Sequence, residues 1–250
     1  MFQGKTVLVT GAGGSIGSAL AERVSRLGCG MLVLLDHSEY LLYEIDRRLD
    51  CLRLPALGDC KDFELLRRLP PPDFVFHCAA YKHVPMLEGF NSRAAYANNV
   101  IGTGCVMDAF GAAERIVLLS TDKAINPVSS MGRSKKAAES VTLRYGRTVG
   151  RLGNIFESSG SVVPLFREQI AKGGPVTVTH PEATRYFLTM DAACDFLLSL
   201  AAKEPGVYQA PMGEPQNILE IARRMIGDRH IPIEFIGLRA GEKLHEELEV

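Results

Sequence analysis

The sequence predicts an α/β fold, a doubly wound parallel sheet, and three observations carry that prediction. Short continuous apolar runs alternate with segments of helical periodicity from the first residues to about Asn154. Glycines cluster where the first run gives way to the first helical segment. The composition is that of an ordinary globular domain: 46% of the 250 residues are hydrophobic and 23% charged, enough for one large domain or a domain with a small lobe.

Thr6 to Thr10 is a strand with no polar alternation, as expected where both faces are covered. Ser18 to Leu27 has helical spacing and ends at Gly28, a C-cap signal. Met31 to Leu35 is a second strand ending at Asp36, Glu39 to Leu49 a second helix, and Leu54 to Leu57 a weak third strand before Gly58. Phe63 to Leu69 is a short helix closed by three prolines, Pro70 to Pro72, and Phe74 to Cys78 a fourth strand. A long helix over Arg93 to Phe110, a fifth strand at Ile116 to Leu119, a helix over Gly132 to Tyr145 and a sixth strand ending at Asn154 follow. Strands alternating with helices require right-handed crossovers and a parallel sheet.

After Asn154 the pattern loosens, with short helices at Leu165–Ala171, Ala192–Ala201 and Leu219–Ile226. Residues 1–154 therefore read as a dinucleotide-binding domain, and 155–250 as a small mixed lobe whose strands can return to the main sheet. Ligands of open α/β sheets sit beyond the carboxyl ends of the strands, so such a lobe suits a substrate-binding role.

A formal net charge of −1 excludes a general nucleic-acid binder. No apolar run spans a bilayer and no signal-peptide core precedes the first strand. The expected location is the cytoplasm, or the cytoplasmic side of a longer membrane protein. The six cysteines lack a C-x-x-C pair and read mostly as buried free thiols; the six histidines lack metal-ligand spacing, so no metal is expected.

Gly11, Gly14 and Gly17 are spaced G-x-x-G-x-x-G between a strand and a helix, with Ser15 and Ile16 in the same loop. Glycine permits the tight turn and close backbone approach, and the helix N-terminus offers N–H groups to a pyrophosphate. This Rossmann-type spacing differs from G-x-G-x-x-G and resembles the short-chain dehydrogenase version of the dinucleotide loop. Asp36 ends the second strand, where a carboxylate meets the adenosine ribose; it favours NAD over NADP, with His37 able to weaken the preference. Asp59 and Cys60 follow the third strand and would flank the adenine.

Ser120-Thr121-Asp122-Lys123 follows the fifth strand, and Met131-Gly132-Arg133-Ser134-Lys135 lies just beyond. Short-chain dehydrogenases place Tyr-x-x-x-Lys here; Lys135 is present, but Met131 occupies the tyrosine position and cannot exchange a proton. Either catalysis is lost, or proton transfer has moved to the neighbouring acid and amine, Asp122 and Lys123.

With these motifs the chain resembles the UDP-N-acetylglucosamine 4,6-dehydratases of the extended short-chain dehydrogenase family, the polysaccharide and protein-glycosylation branch. The resembling stretches include Thr10 to Gly17, His77-Cys78-Ala79-Ala80-Tyr81-Lys82-His83-Val84-Pro85, Asn98 to Thr103, Ser120 to Pro127 and Gly241 to Leu248. That family includes a branch with Met in place of Tyr. The resemblance implies Thr121, Asp122 and Lys123 as catalytic, with Asp122 as acid and Lys123 as base, beside Met131 and Lys135. It implies Ala79, Ala80 and Asn98 near the cofactor, and Lys82, Asn154, Ser158, Arg185 and Glu242 on a UDP-sugar. The Ser158-Ser159-Gly160 run could offer hydroxyl and N–H groups to that ligand, and Glu157 departs from the family's usual Gly.

The implied chemistry is a lyase that begins and ends as an oxidoreductase, with NAD as a retained cofactor. A UDP-sugar 4-epimerase and a non-catalytic NAD-binding regulatory module are the alternatives, and a homo-oligomer is left open.

Overall fold

The computed structural model describes residues 1–158 and 160–248. The first half runs β1 (Thr6–Thr10), α1 (Ser15–Arg26), β2 (Met31–Asp36), α2 (Glu39–Asp46), β3 (Arg53–Leu57), α3 (Phe63–Arg68) and β4 (Phe74–His77). Then come α4 (Ser92–Tyr96), α5 (Gly102–Ala109), β5 (Arg115–Thr121), α6 (Ser130–Arg144), β6 (Thr148–Leu152), β7 (Asn154–Ile155) and α7 (Val162–Ala171). The chain finishes with β8 (Val176–Val178), β9 (Thr184–Arg185), β10 (Phe187–Leu188), α8 (Met190–Leu200), β11 (Gly206–Gln209), β12 (Gln216–Asn217), α9 (Ile218–Ile226) and β13 (Ile233–Phe235).

Seven strands form one sheet in the order β11-β6-β5-β4-β1-β2-β3, every neighbouring pair parallel. Apolar runs without alternation become strands buried on both faces. Val7, Val9, Leu32, Leu34, Phe74 and Phe76 join a core with Leu20 and Val24 of α1 and Leu197 of α8. The intervening Leu8, Val33, Leu35 and Val75 pack on the other face against Leu66, Val106 and Met107. The last parallel strand, β11, comes from the second half of the chain and lies outside β6.

A separate apolar cluster joins α7, β8 and α9 through Phe166, Val178 and Ile221. Three two-stranded pairs, β10–β7, β12–β9 and β13–β8, tie this region together and to the end of β6. It stands beyond the carboxyl ends of the main strands, next to the switch point between β1 and β4.

Several elements differ from the sequence expectation; α2 ends three residues short of Leu49 and α7 begins three residues before Leu165, and two further differences bear on the site. Helix α1 starts at Ser15, three residues early, because Ser15 to Gly17 line a cleft while the apolar spacing begins with the core-facing Leu20. The long helix expected over 93–110 is divided into α4 and α5 by a π turn at Ala97–Ile101. The wider turn buries Asn98 and Asn99 together, and Asn99 then bonds the backbone of Tyr81 through both its amide oxygen and nitrogen. Of the six cysteines only Cys60 and Cys194 are buried; the other four are partly exposed because they sit at strand ends and on helix flanks, not within the apolar runs.

Candidate active site

A cleft of about 900 Å³ runs along the carboxyl edge of the sheet, and a smaller pocket of about 210 Å³ adjoins it beside β2 and β3. The glycine loop forms the boundary. Gly11 has φ +65°, and a Cβ there would meet the Ala79 nitrogen at 2.7 Å. A Cβ on Gly17 would meet the Gly11 carbonyl at 2.1 Å, so these two glycines serve the packing of the turn. Gly14 is different: an added Cβ would meet only Gly11 O, at 3.2 Å, and its open side faces the cleft. Ser15, Ile16 and Gly17, the first turn of α1, line the cleft as well.

Asp36, His37, Asp59, Cys60, Ala79, Ala80 and Asn98 all line the smaller pocket. Asp36 is 5% exposed; one carboxylate oxygen accepts from Gly13 N at 2.9 Å and the other from Ser38 N at 2.9 Å. It therefore fixes the glycine loop as well as facing the pocket. Asp59 accepts from the backbone and the ammonium of Lys61 at 2.8 and 2.6 Å; burial works against its ionisation, but those bonds hold its pKa below the ordinary carboxylate value. Beneath the loop, His77 bridges Thr10 Oγ1 at 2.6 Å and Thr103 Oγ1 at 3.0 Å, and burial pushes its pKa down to about 3. It is a neutral part of the core.

The end of β5 carries the second group. Thr121 Oγ1 donates to Asp122 Oδ1 at 2.8 Å, and Lys123 Nζ donates to Asp122 Oδ1 at 3.0 Å and Asn154 Oδ1 at 3.1 Å. Asp122 is fully buried, and its Oδ2 has no hydrogen-bond partner among the described residues. Burial alone would lower the Lys123 pKa; the charges of Asp122 and Glu246 outweigh it and raise the pKa above the ordinary lysine value. Proton acceptance by Lys123 needs the neutral amine, whereas this arrangement favours the ammonium.

Met131 is 3% exposed and packs with Leu87 and Ala95, filling the position with apolar contact. One turn on, Lys135 Nζ donates to Leu119 O at 2.6 Å, and burial lowers its pKa to about 8 against the opposing charge of Glu139. Lys82, Ser158, Arg185 and Glu242 line the same cleft as Thr121, Lys123, Met131, Lys135 and Asn154. Enclosure lowers the Lys82 pKa. The Arg185 guanidinium donates to the carbonyls of Thr184 and Leu244 at 2.7 and 3.0 Å. Glu242 accepts from Arg239 N at 3.1 Å. Ser159 lies outside the described residues.

Two features escaped the sequence reading. Glu139 and Arg151, each 2% exposed, form a two-pronged ion pair under β5 and β6, and Ser120 Oγ donates to the same carboxylate at 2.6 Å. A Glu at mid-helix reads as solvent-facing, so the sequence carries no signal for this pair. Glu246 reaches the Lys123 ammonium at 3.6 Å from the far end of the chain. Among the described residues no cluster of His, Cys, Asp or Glu could hold a metal ion, and no helix is long and apolar enough to cross a membrane.

A parallel seven-stranded sheet with a glycine loop at β1–α1 and an acid–amine cluster at the end of β5 has the fold of the short-chain dehydrogenase type of epimerases and dehydratases. DesIV, a dTDP-glucose 4,6-dehydratase from Streptomyces venezuelae solved with NAD bound, superposes with a TM-score of 0.87 at 21% identity, over 98% of this chain and 88% of that one. The chain belongs to the polysaccharide biosynthesis protein family, whose model matches residues 7–250. The probable polysaccharide biosynthesis protein EpsC of Bacillus subtilis is 40% identical over 272 residues, 99% of this chain and 45% of EpsC. A UDP-glucose 4-epimerase of Rickettsia conorii is 33% identical over 99% of this chain and 78% of its own length. The chain thus spans about half the length of EpsC.

Proposed function

We propose that this chain binds NAD and catalyses 4,6-dehydration of a nucleotide-activated amino sugar, with UDP-N-acetylglucosamine as substrate, yielding the 4-keto-6-deoxy sugar. One observation carries this reading: an apolar, buried Met131 stands where a proton-exchanging tyrosine would, while Thr121 and Lys123 line the same cleft and both bond to the Asp122 carboxylate buried behind them.

The residues present fit NAD. Gly14 leaves the cleft side of the loop open, the first turn of α1 faces the same space, and Asp36 sits in the adjoining pocket where a ribose hydroxyl can donate to it. Lys135 would hold the nicotinamide ribose. When bound, NAD would supply the hydride acceptor for C4 and the hydride donor for C6. Lys82, Asn154, Ser158, Arg185 and Glu242 would hold the UDP-sugar, and Arg185 suits a pyrophosphate because a guanidinium grips two oxygens at once. The proton of the C4 hydroxyl would leave through Thr121 or an ordered water; the keto group then acidifies the C5 proton, Lys123 would take it in its minority neutral form, Asp122 would give a proton to the C6 hydroxyl as it leaves as water, and a solvent-derived proton would return to C5 as hydride reaches C6. Residues 1–154 serve the cofactor in this scheme and 155–250 supply much of the sugar site.

Incubation with UDP-N-acetylglucosamine and NAD, followed by mass spectrometry, tests the proposal. Loss of one water supports it, and an unchanged mass with an inverted C4 by NMR replaces it with 4-epimerisation. The epimerase reading has its own support in the Rickettsia conorii relative. Tight NAD binding with no turnover of any nucleotide sugar would leave a regulatory NAD-binding module.

A further inference from the structure

We propose that Glu246 is a positioning residue of the reaction centre, which holds the Lys123 ammonium jointly with Asp122 and makes the charge of that amine depend on the docked C-terminal segment. Its role in turnover rests on the dehydration reading above; its hold on Lys123 does not.

The segment is laid against the site by a short run of bonds. Thr184 N donates to Leu244 O at 3.1 Å, Thr184 Oγ1 meets His245 Nδ1 at 2.8 Å, and Lys243 Nζ donates to Ile125 O at 2.9 Å. Thr184 and His245 form a parallel bridge, so the chain is extended here and successive side chains alternate. His245 and Glu247 are exposed, and Glu246 between them is 7% exposed and lines the cleft.

Once inside, Glu246 Oε1 lies 3.6 Å from Lys123 Nζ and 3.9 Å from Arg185 Nε, while Oε2 is buried with no hydrogen-bond partner among the described residues. Burying a carboxylate with one oxygen unpaired is unfavourable unless cations offset it. A tether for the segment would not require that arrangement. Glu247 already tethers it at the surface, accepting from Asn126 Nδ2 at 2.6 Å and pairing with Lys243. What Glu246 adds is a second negative group on an amine that Asp122 already pairs. The charged groups acting on Lys123 are Asp122 from its own turn, Glu246 from the C-terminal segment and Arg185 from β9, with Arg185 opposing the two carboxylates.

Removing Glu246 must therefore weaken proton binding by Lys123. The experiment uses the whole chain labelled with ¹³C at the lysine ε-carbons, the Lys123 signal being assigned by its loss in Lys123→Met. In Glu246→Gln, which keeps the side-chain volume, the Lys123 titration midpoint should fall by about one pH unit or more, the scale for one lost opposite charge at this distance. In Glu247→Gln, which alters a surface contact of the same segment and leaves the bonds of Lys243, Leu244 and His245 to dock it, the midpoint should stay. Glu246→Asp should lie between parent and Gln, and it decides the matter if the Gln variant does not fold. An unmoved midpoint in either folded Glu246 variant, or an equal fall in Glu247→Gln, overturns the proposal. Turnover on UDP-N-acetylglucosamine should begin at correspondingly lower pH in Glu246→Gln. A midpoint that falls in a protein that dehydrates no nucleotide sugar upholds the hold on Lys123 and removes the dehydration reading; dehydration with an unmoved midpoint does the reverse.

Discussion

The two ends of the cleft, which on the proposed reading take the cofactor and the sugar, are built on different principles. At β1–α1 the working groups are backbone, held by residues close together in sequence: Gly11, Gly13, Gly14 and Gly17, closed by Asp36 accepting from Gly13 N. At the end of β5 they are side chains from four separate stretches: Asp122 and Lys123, Asn154, Arg185 and Glu246. The first is a closely packed backbone turn that is open to the cleft at Gly14. The second is a charge cluster whose state depends on all its members being in place. Substitutions at the glycine loop should therefore change NAD affinity, and those of Asp122 and Lys123 should change turnover with little effect on it.

The sharpest test of that division is Lys123→Met. Turnover on UDP-N-acetylglucosamine, read as loss of water by mass spectrometry, should fall by about a hundredfold to ten-thousandfold, the scale for a lost acid or base. NAD affinity by calorimetry should change by less than about threefold, because Lys123 bonds to Asp122 and Asn154 and not to the glycine loop. A large fall in NAD affinity would erase the distinction between the two ends.

Gly14→Val probes the opposite end. Its Cβ meets nothing closer than Gly11 O at 3.2 Å, so the chain should fold with an unchanged circular dichroism spectrum. The added methyls occupy the side open to the cleft, and NAD affinity should fall by at least about thirtyfold, roughly 2 kcal/mol. Gly17→Val is the contrasting variant: with Gly11 O at 2.1 Å from its Cβ, the turn itself must shift and thermal stability should drop as well. Equal stability losses in the two would mean that Gly14 is only a packing glycine.

The same contrast explains what could be read from the sequence. The glycine loop, Asp36 and the parallel alternation are local patterns, and local physics determines them. The Lys123 environment was legible only as far as its neighbour Asp122. Glu246 lies 123 positions further on, in a stretch without helical or strand periodicity, and only the Thr184–His245 bridge turns it inward. The buried Glu139–Arg151 pair was illegible for a similar reason, since a Glu on a helix is ordinarily a solvent-facing residue. The π turn at Ala97–Ile101 leaves no sequence signature apart from two adjacent asparagines.

Asp36 tests whether the cofactor end also discriminates. Asp36→Ser should raise the affinity for NADP relative to NAD by about tenfold to a hundredfold, because a carboxylate no longer faces the 2′-phosphate. The Gly13 and Ser38 N–H groups would lose charge-assisted partners, so a stability loss of about 1–3 kcal/mol should accompany the change. An unchanged cofactor ratio with the stability loss present would reduce Asp36 to a loop anchor.

The smallest effect concerns the floor beneath the loop. His77 is fully buried between Thr10 and Thr103, with its pKa pushed down to about 3. The unfolded chain takes up a proton there below about pH 6.5 while the folded chain does not. The folded pKa is depressed, so this group's penalty is absent above pH 6.5 and grows as pH falls towards 3. Its slope approaches about 1.4 kcal/mol per pH unit, so roughly 1 kcal/mol should be lost by pH 5.5. Other groups also titrate in acid, so the informative quantity is a difference. His77→Asn removes the titrating ring and should be less stable than the parent at pH 7.5 because the bridge between the two threonines is shortened. Its urea midpoint should nevertheless fall less steeply than the parent's between pH 7.5 and 5.5. Parallel slopes for the two proteins would show that His77 gains its proton in the folded state, and that the floor of the cofactor end yields to charge as readily as the sugar end does.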